Sequence, residues 1–124
     1  MFKKKYEMAQ TLEAETLKTA TVRLWGNRVV QFMRATAEIQ AVPIGAGVSV
    51  RQEVQRAYDL IVTSGMAYEL HASGTNVEGE LLDILQLIEH IHKVLHKVGT
   101  VRLITFIKLE TRTDKTPTLA GKRL

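Results

Sequence analysis

The chain has no cysteine, which removes a disulfide framework, a thiolate metal site and thiol catalysis together, and which fits a reducing cytoplasm. It also lacks any run of about 18 apolar residues, the length a helix needs to cross a bilayer. No serine stands in a Gly-x-Ser-x-Gly setting. Gly45-Ala46-Gly47 is too short for a phosphate loop and lacks the Lys-Ser/Thr pair that grips phosphate; it reads as a strand-to-helix turn. Aromatic residues make up only 6% of the chain. Phe106 and Tyr68 alone stand where a sheet could stack bases on them, which is thin for RNA recognition.

What the chain has is 124 residues, 45% hydrophobic and 24% charged, the balance of an ordinary folded domain with a core of its own. The net charge of +4 is unevenly placed. Residues 1–32 carry six basic side chains against three acidic, leaving eleven basic and ten acidic for the rest. The body is nearly neutral, whereas a nucleic-acid surface needs clustered Lys and Arg. Lys3-Lys4-Lys5 resembles the start of a targeting signal, but Glu7, Glu13 and Glu15 interrupt the apolar or acid-free stretch such signals require. Residues 1–32 therefore read as a peripheral extension, with Met33 placed as an alternative start, and residues 33–124 as the domain.

From Ala35 the pattern is regular. Ala35 to Val42 alternates small or apolar with polar residues, the period of a strand, and Pro43 with the following glycines is expected to end it. Ser49, with Gln52 three residues on, has the form of a helix cap. The helix it opens carries Val50, Val54, Ala57, Tyr58, Ile61 and Val62 on one stripe, and Gly65 suits a left-handed stop. Met66–His71 and Thr75–Glu78 read as strands around a Ser73-Gly74 turn, with Gly79 closing the second. A helix over 80–98 has the stripe Leu81, Ile84, Leu85, Ile88, Ile91, Leu95 and Val98, and Gly99 ends it. Val101 to Leu109 is the last strand, apolar on both faces through Ile104 and Phe106. The order β-α-β-β-α-β predicts an α+β sandwich of the ferredoxin-like kind, a four-stranded antiparallel sheet with two helices on one face. An apolar reverse side then calls for a partner, so a homo-oligomer, dimer or tetramer, is expected.

The stretch Gly74-Thr75-Asn76-Val77-Glu78-Gly79-Glu80 is the richest in chemistry. Alternation sends Thr75, Val77 and Gly79 to one sheet face and Asn76 and Glu78 to the other. Glu80 reads as a first-turn carboxylate favouring the helix dipole. Glu78 is a costly carboxylate unless it is paired or hydrogen-bonded. Glu89, His92 and His96 share a helix stripe at a spacing that can bind metal; with no fourth ligand or supporting shell visible, a solvated or interfacial stripe is the plainer reading. His90 points elsewhere.

These residues resemble the small thiamine-binding proteins. TAEIQAVPIG from Thr36 to Gly45, the GTNVEGE stretch, the helical His92, Gly99 with Arg102 (GTVRL) and KLETRTDK from Lys108 to Lys115 occur in that family's order. The resemblance covers residues 34–124, and the extension before it is foreign to the pattern. It implies a ferredoxin-like fold, assembly into dimers or tetramers, and binding of thiamine or its hydroxymethylpyrimidine half without turnover, with no cofactor beyond that ligand. An aminopyrimidine and a cationic thiazolium need an acceptor, a hydroxyl and an apolar or aromatic wall. The resemblance points to Glu78 as acceptor, Thr75 and Asn76 as hydrogen-bonding partners, Tyr68 as a face for the cation, and Ser49 at the opening of the first helix. Two other classes stand beside this one: a regulatory module binding another small metabolite such as an amino acid, and an enzyme using Glu78 with His92 as acid and base.

Overall fold

The computed structural model describes the backbone of residues 21–25 and 28–124, and the side chains of residues 33–124. Strands β1 (Thr21–Trp25) and β2 (Arg28–Phe32) pair antiparallel in a two-stranded sheet of their own. The expectations for residues 1–20 lie outside the described residues. The domain follows as β3 (Arg34–Ile44), α1 (Arg51–Thr63), β4 (Ala67–His71), β5 (Gly74–Glu80), α2 (Leu81–Lys97) and β6 (Arg102–Glu110), with a 3₁₀ turn at Ala120–Lys122. Its four strands lie in the order β4-β5-β3-β6, every neighbouring pair antiparallel. This is the ferredoxin-like arrangement expected from the element order.

Alternation along the two central strands decides which side is core. Ala35, Ala37 and Ile39 of β3 and Val77 of β5 are buried against Ala57 and Ile61 of α1 and Ile84, Leu87, Ile91 and Leu95 of α2. Two of the three β3 residues are alanines, so helices seated there approach the sheet closely and reach core density through their own Ile and Leu side chains. The residues between them, Thr36 and Glu38 on β3 and Asn76 and Glu78 on β5, face the other way, opposite one another in register. That open face continues onto β6 through Ile104, Phe106, Lys108 and Glu110.

Several local readings are corrected. The first strand does not stop at Pro43: it runs to Ile44, with Pro43 paired to Leu103. Past Ile39, β3 has only β6 beside it, and on such an edge the missing proline N–H is tolerated. Ser49 does not cap α1. The cap position is Val50, without any side-chain hydrogen bond; Ser49 lies one residue too early for its hydroxyl to meet the second or third helical N–H. Gly79 and Glu80 belong to β5, pairing with Ala35 and Arg34, and Glu80 is buried at the junction with α2. The stripes also narrow: Leu87, absent from the expected set, is buried, whereas Val54, Val62, Leu85 and Val98 are exposed. Gly65 and Gly99 do end their helices with positive φ, 81° and 117°, a region that side-chain-bearing residues seldom enter.

Gly74 is required for a different reason. A Cβ there would stand 2.8 Å from the backbone oxygen of Ile39, and a backbone atom cannot rotate away. Gly74→Ala should therefore destabilise the domain by about 1–3 kcal/mol, the range for overpacking. Gly79→Ala crowds the flexible Met66 side chain, with Ile84 at ordinary contact distance, and should cost less. Urea midpoints of the two variants check this, and equal losses would refute it.

Candidate cleft between the first helix and the sheet

The GTNVEGE stretch is split by the pleat. Thr75 faces the helices and is 4% exposed. It lines a cleft of about 300 Å³ between α1 and the sheet. The walls are Ile39, Ala41 and Leu70 from the strands and Val50, Val54, Ala57, Tyr58 and Ile61 from α1, with His71, Ser73 and Gly74 of the β4–β5 hairpin at one end. The α1 stripe is thus only partly core: Ala57 and Ile61 seal the floor, while Val54 and Tyr58 form a wall.

Tyr58 packs edge-on against Tyr68, ring centroids 5.8 Å apart. The hydrogen bond that Tyr58 donates to Tyr68, then burial, holds the Tyr58 phenol above its ordinary value. Tyr68, expected as an aromatic wall, thus acts beside the cleft through Tyr58. Ser49 is exposed and precedes Val50, which lines the cleft. Sequence reasoning assigned Tyr58 to the core and missed its place here. The available signal was a hydroxyl-bearing aromatic on a stripe otherwise made of Val, Ala and Ile.

Asn76 and Glu78 are on the opposite face. The backbone N–H of Ser73 donates to His71 Nδ1 at 3.3 Å, which leaves the ring proton on Nε2. That nitrogen donates toward Asn76 Oδ1 at 3.1 Å, with Glu38 at 3.4 Å. Glu78 accepts from the Leu119 N–H at 2.8 Å and lies 3.6 Å from Arg34. Its carboxylate is satisfied, as burial requires, by a segment that sequence reasoning did not place. Residues 111–124 fold back across the open face, with Pro117 and Leu119 buried, Lys122 on Glu110 at 2.6 Å and Arg123 on Glu69 at 3.2 Å. Lys122 holds the Glu110 carboxyl below its usual range. A lone Leu119 in a polar tail was the only hint of this return.

The histidines are occupied structurally. His92 Nε2 meets Thr105 Oγ1 at 2.7 Å and ties α2 to β6, while His96 Nδ1 bonds the Thr100 carbonyl at 2.7 Å. Burial, then His96, lowers the His92 value, favouring the neutral ring. Thr105 pairs with Ala41 and shares its helix-facing side, so His92 and Glu78 are on opposite sides of the sheet and form no acid-base pair. Among the described residues, no three His, Cys, Asp or Glu side chains gather to hold a metal, and no helix is long and apolar enough to cross a membrane.

Comparison with known proteins agrees with this architecture. The profile of the thiamine-binding protein family matches residues 37–123. A UPF0045 protein of Synechocystis is 32% identical over 95 residues, 77% of this chain and 78% of that one. A crystal structure of a hypothetical protein from Methanocaldococcus jannaschii superposes with a TM-score of 0.68 at 29% identity, covering 73% and 92% of the two chains. That of a proposed thiamine biosynthesis/salvage protein from Thermotoga maritima does so with a TM-score of 0.66 at 25% identity, covering 72% and 94%.

Proposed function

Since the chain belongs to the thiamine-binding protein family, we propose that it binds thiamine or the hydroxymethylpyrimidine half of thiamine in the cleft beneath α1, without turnover, as a carrier, buffer or sensor. The observation that carries this reading is the apolar cleft itself, which Thr75, a residue 4% exposed, and Tyr58 line with hydroxyl-bearing side chains. A hydroxyl at the wall of an apolar cleft is available to a ring amino group or nitrogen. About 300 Å³ is at the small end of ligand pockets and suits one or two rings. Ile39, Val54 and Ile61 enclose the ring faces, and Tyr58 supplies an electron-rich surface for a cation. Binding without turnover is supported by the separation of Glu78 from His92.

Calorimetry of the purified chain with thiamine tests the reading. Heat is expected, weakened about tenfold in Thr75→Val, the effect of one hydrogen bond of roughly 1.4 kcal/mol. No heat at high micromolar ligand sinks it.

The same reading includes a homo-oligomer. The C-terminal segment covers the polar half of the open face, whereas Val42, Ile104 and Phe106 form a row beyond it, Phe106 being 59% exposed. An apolar sheet surface of this kind is matched by a second copy. Phe106→Glu should lower the sedimentation coefficient to that of the monomer; a wild-type chain already monomeric at high concentration removes the idea.

A further inference from the structure

The two outer strands of the sheet are unlike. β4 is five residues long, whereas β6 runs for nine, Arg102–Glu110, paired with β3 over its whole length and without a bulge. Among the described residues, no strand pairs with the other side of β6. Long, straight edges are ordinarily blunted by proline, a bulge or repeated charge. β6 has no proline and, between its two end residues, a single lysine. It is also apolar and exposed on both faces. Ile104 and Phe106 are exposed on the open face, and Ile107 and Leu109, on the side of the helices, are 43% and 42% exposed, so the helical layer leaves this edge uncovered. Such an edge is a template for another strand.

We infer that a second copy of this chain joins at the outer edge of β6, the two β6 strands pairing antiparallel about a two-fold axis through Phe106 to make one continuous sheet. The charges select that register. With Phe106 opposite its own copy, Arg102 of each chain stands opposite Glu110 of the other, and Leu103 opposite Leu109. An axis through Thr105 sets Arg102 against Lys108 instead, and one through Ile107 sets Arg102 against Arg112. Opposite charges across a strand pair are favourable, and like charges there are destabilising. Arg102 and Glu110 are both exposed at the ends of the strand, although Glu110 shares its carboxylate with Lys122. A strand that matches itself in this way specifies a second copy as its partner, because an isologous contact requires one patch to be its own complement. The inference rests on the homo-oligomer reading and not on the ligand. It adds the edge and the register by which the copies meet, and it sets their Phe106 rows side by side on the open face.

Sedimentation of charge variants of the full chain tests the inference. Arg102→Glu places glutamates opposite each other at both ends of the strand pair, and Glu110→Arg places arginines there. Each variant alone should assemble about tenfold more weakly than wild type, or worse. An equimolar mixture of the two should regain the wild-type affinity within a few-fold, because every position 102 then again meets a position 110 of opposite sign. Loss of the Lys122 contact in Glu110→Arg cannot imitate that rescue, and assembly of the mixture shows that both variants are folded. Arg102→Glu sedimenting as the wild type does, or single variants that dissociate and are not rescued by mixing, overturns the inference. If Phe106→Glu still yields the monomer in that case, the copies meet by the sheet face and the homo-oligomer reading survives without this one. A wild-type chain already monomeric at high concentration removes both.

Discussion

Val54→Trp is expected to weaken thiamine binding roughly a hundredfold or more while leaving the fold in place. Val54 is on the wall of the cleft yet 46% exposed, so an indole there has room to lie over the opening without entering the core. The volume it takes is a large part of about 300 Å³, and a ligand whose ring faces must be enclosed has nowhere else to go. A two-decade loss corresponds to about 2.8 kcal/mol, more than any one hydrogen bond in the cleft supplies. The informative comparison is Glu78→Ala. Glu78 is on the other side of the sheet, where it holds Leu119, so its loss should release residues 111–124 to protease and leave thiamine affinity within a few-fold. Calorimetry on both variants decides between the faces. If Glu78→Ala abolishes binding and Val54→Trp does not, the ligand is on the open face and the cleft assignment is wrong.

Ile91→Ala should cost about 2–5 kcal/mol, the range for truncating a fully buried aliphatic side chain. Ile91 is 0% exposed and belongs to the cluster that joins α2 to β3 and β5. For a small domain holding about 5–15 kcal/mol in total, that loss removes much of the margin. Val98→Ala, seven residues on and in the same apolar stripe of the sequence, should cost less than about 1 kcal/mol. Val98 lies just past the end of α2 and is 50% exposed, so little apolar area is lost with its methyl groups. Denaturant unfolding of both variants measures the difference. Equal losses would mean that α2 is seated on the sheet in a different rotation from the one described.

Neither expectation rests on hydrophobicity alone, because Ile91 and Val98 are nearly alike in it. The difference is where α2 ends: Leu95 in its last turn is still fully buried, whereas Val98 lies past the last helical residue. In α1, Val54 and Val62 are likewise outside the core, and Val54 forms part of the wall of a cleft. Binding and stability are therefore assigned to neighbouring positions of one helix: Ala57 and Ile61 hold α1 down, and Val54 with Tyr58 face the space left over.

The sequence by itself determined the elements from β3 to β6, their order and most of their inward-facing residues. These are local properties: the two-residue period of Ala35-Ala37-Ile39, the helical period of Ile84-Ile91-Leu95, and the glycines at 65 and 99 that stop the helices. From them the antiparallel sheet and its helical layer follow, because few arrangements bury both stripes at once. The pleat also divided Thr75 from Asn76 and Glu78 in advance. Tertiary structure alone decided what each of those side chains meets. Thr75 faces a void because α1 stands off the sheet there, whereas Glu78 meets Leu119, forty-one residues away, through a tail with no periodicity to announce it. Such long-range contacts have no local signature: they depend on where a helix sits on the sheet and where a polar segment returns, and only the folded chain sets those distances.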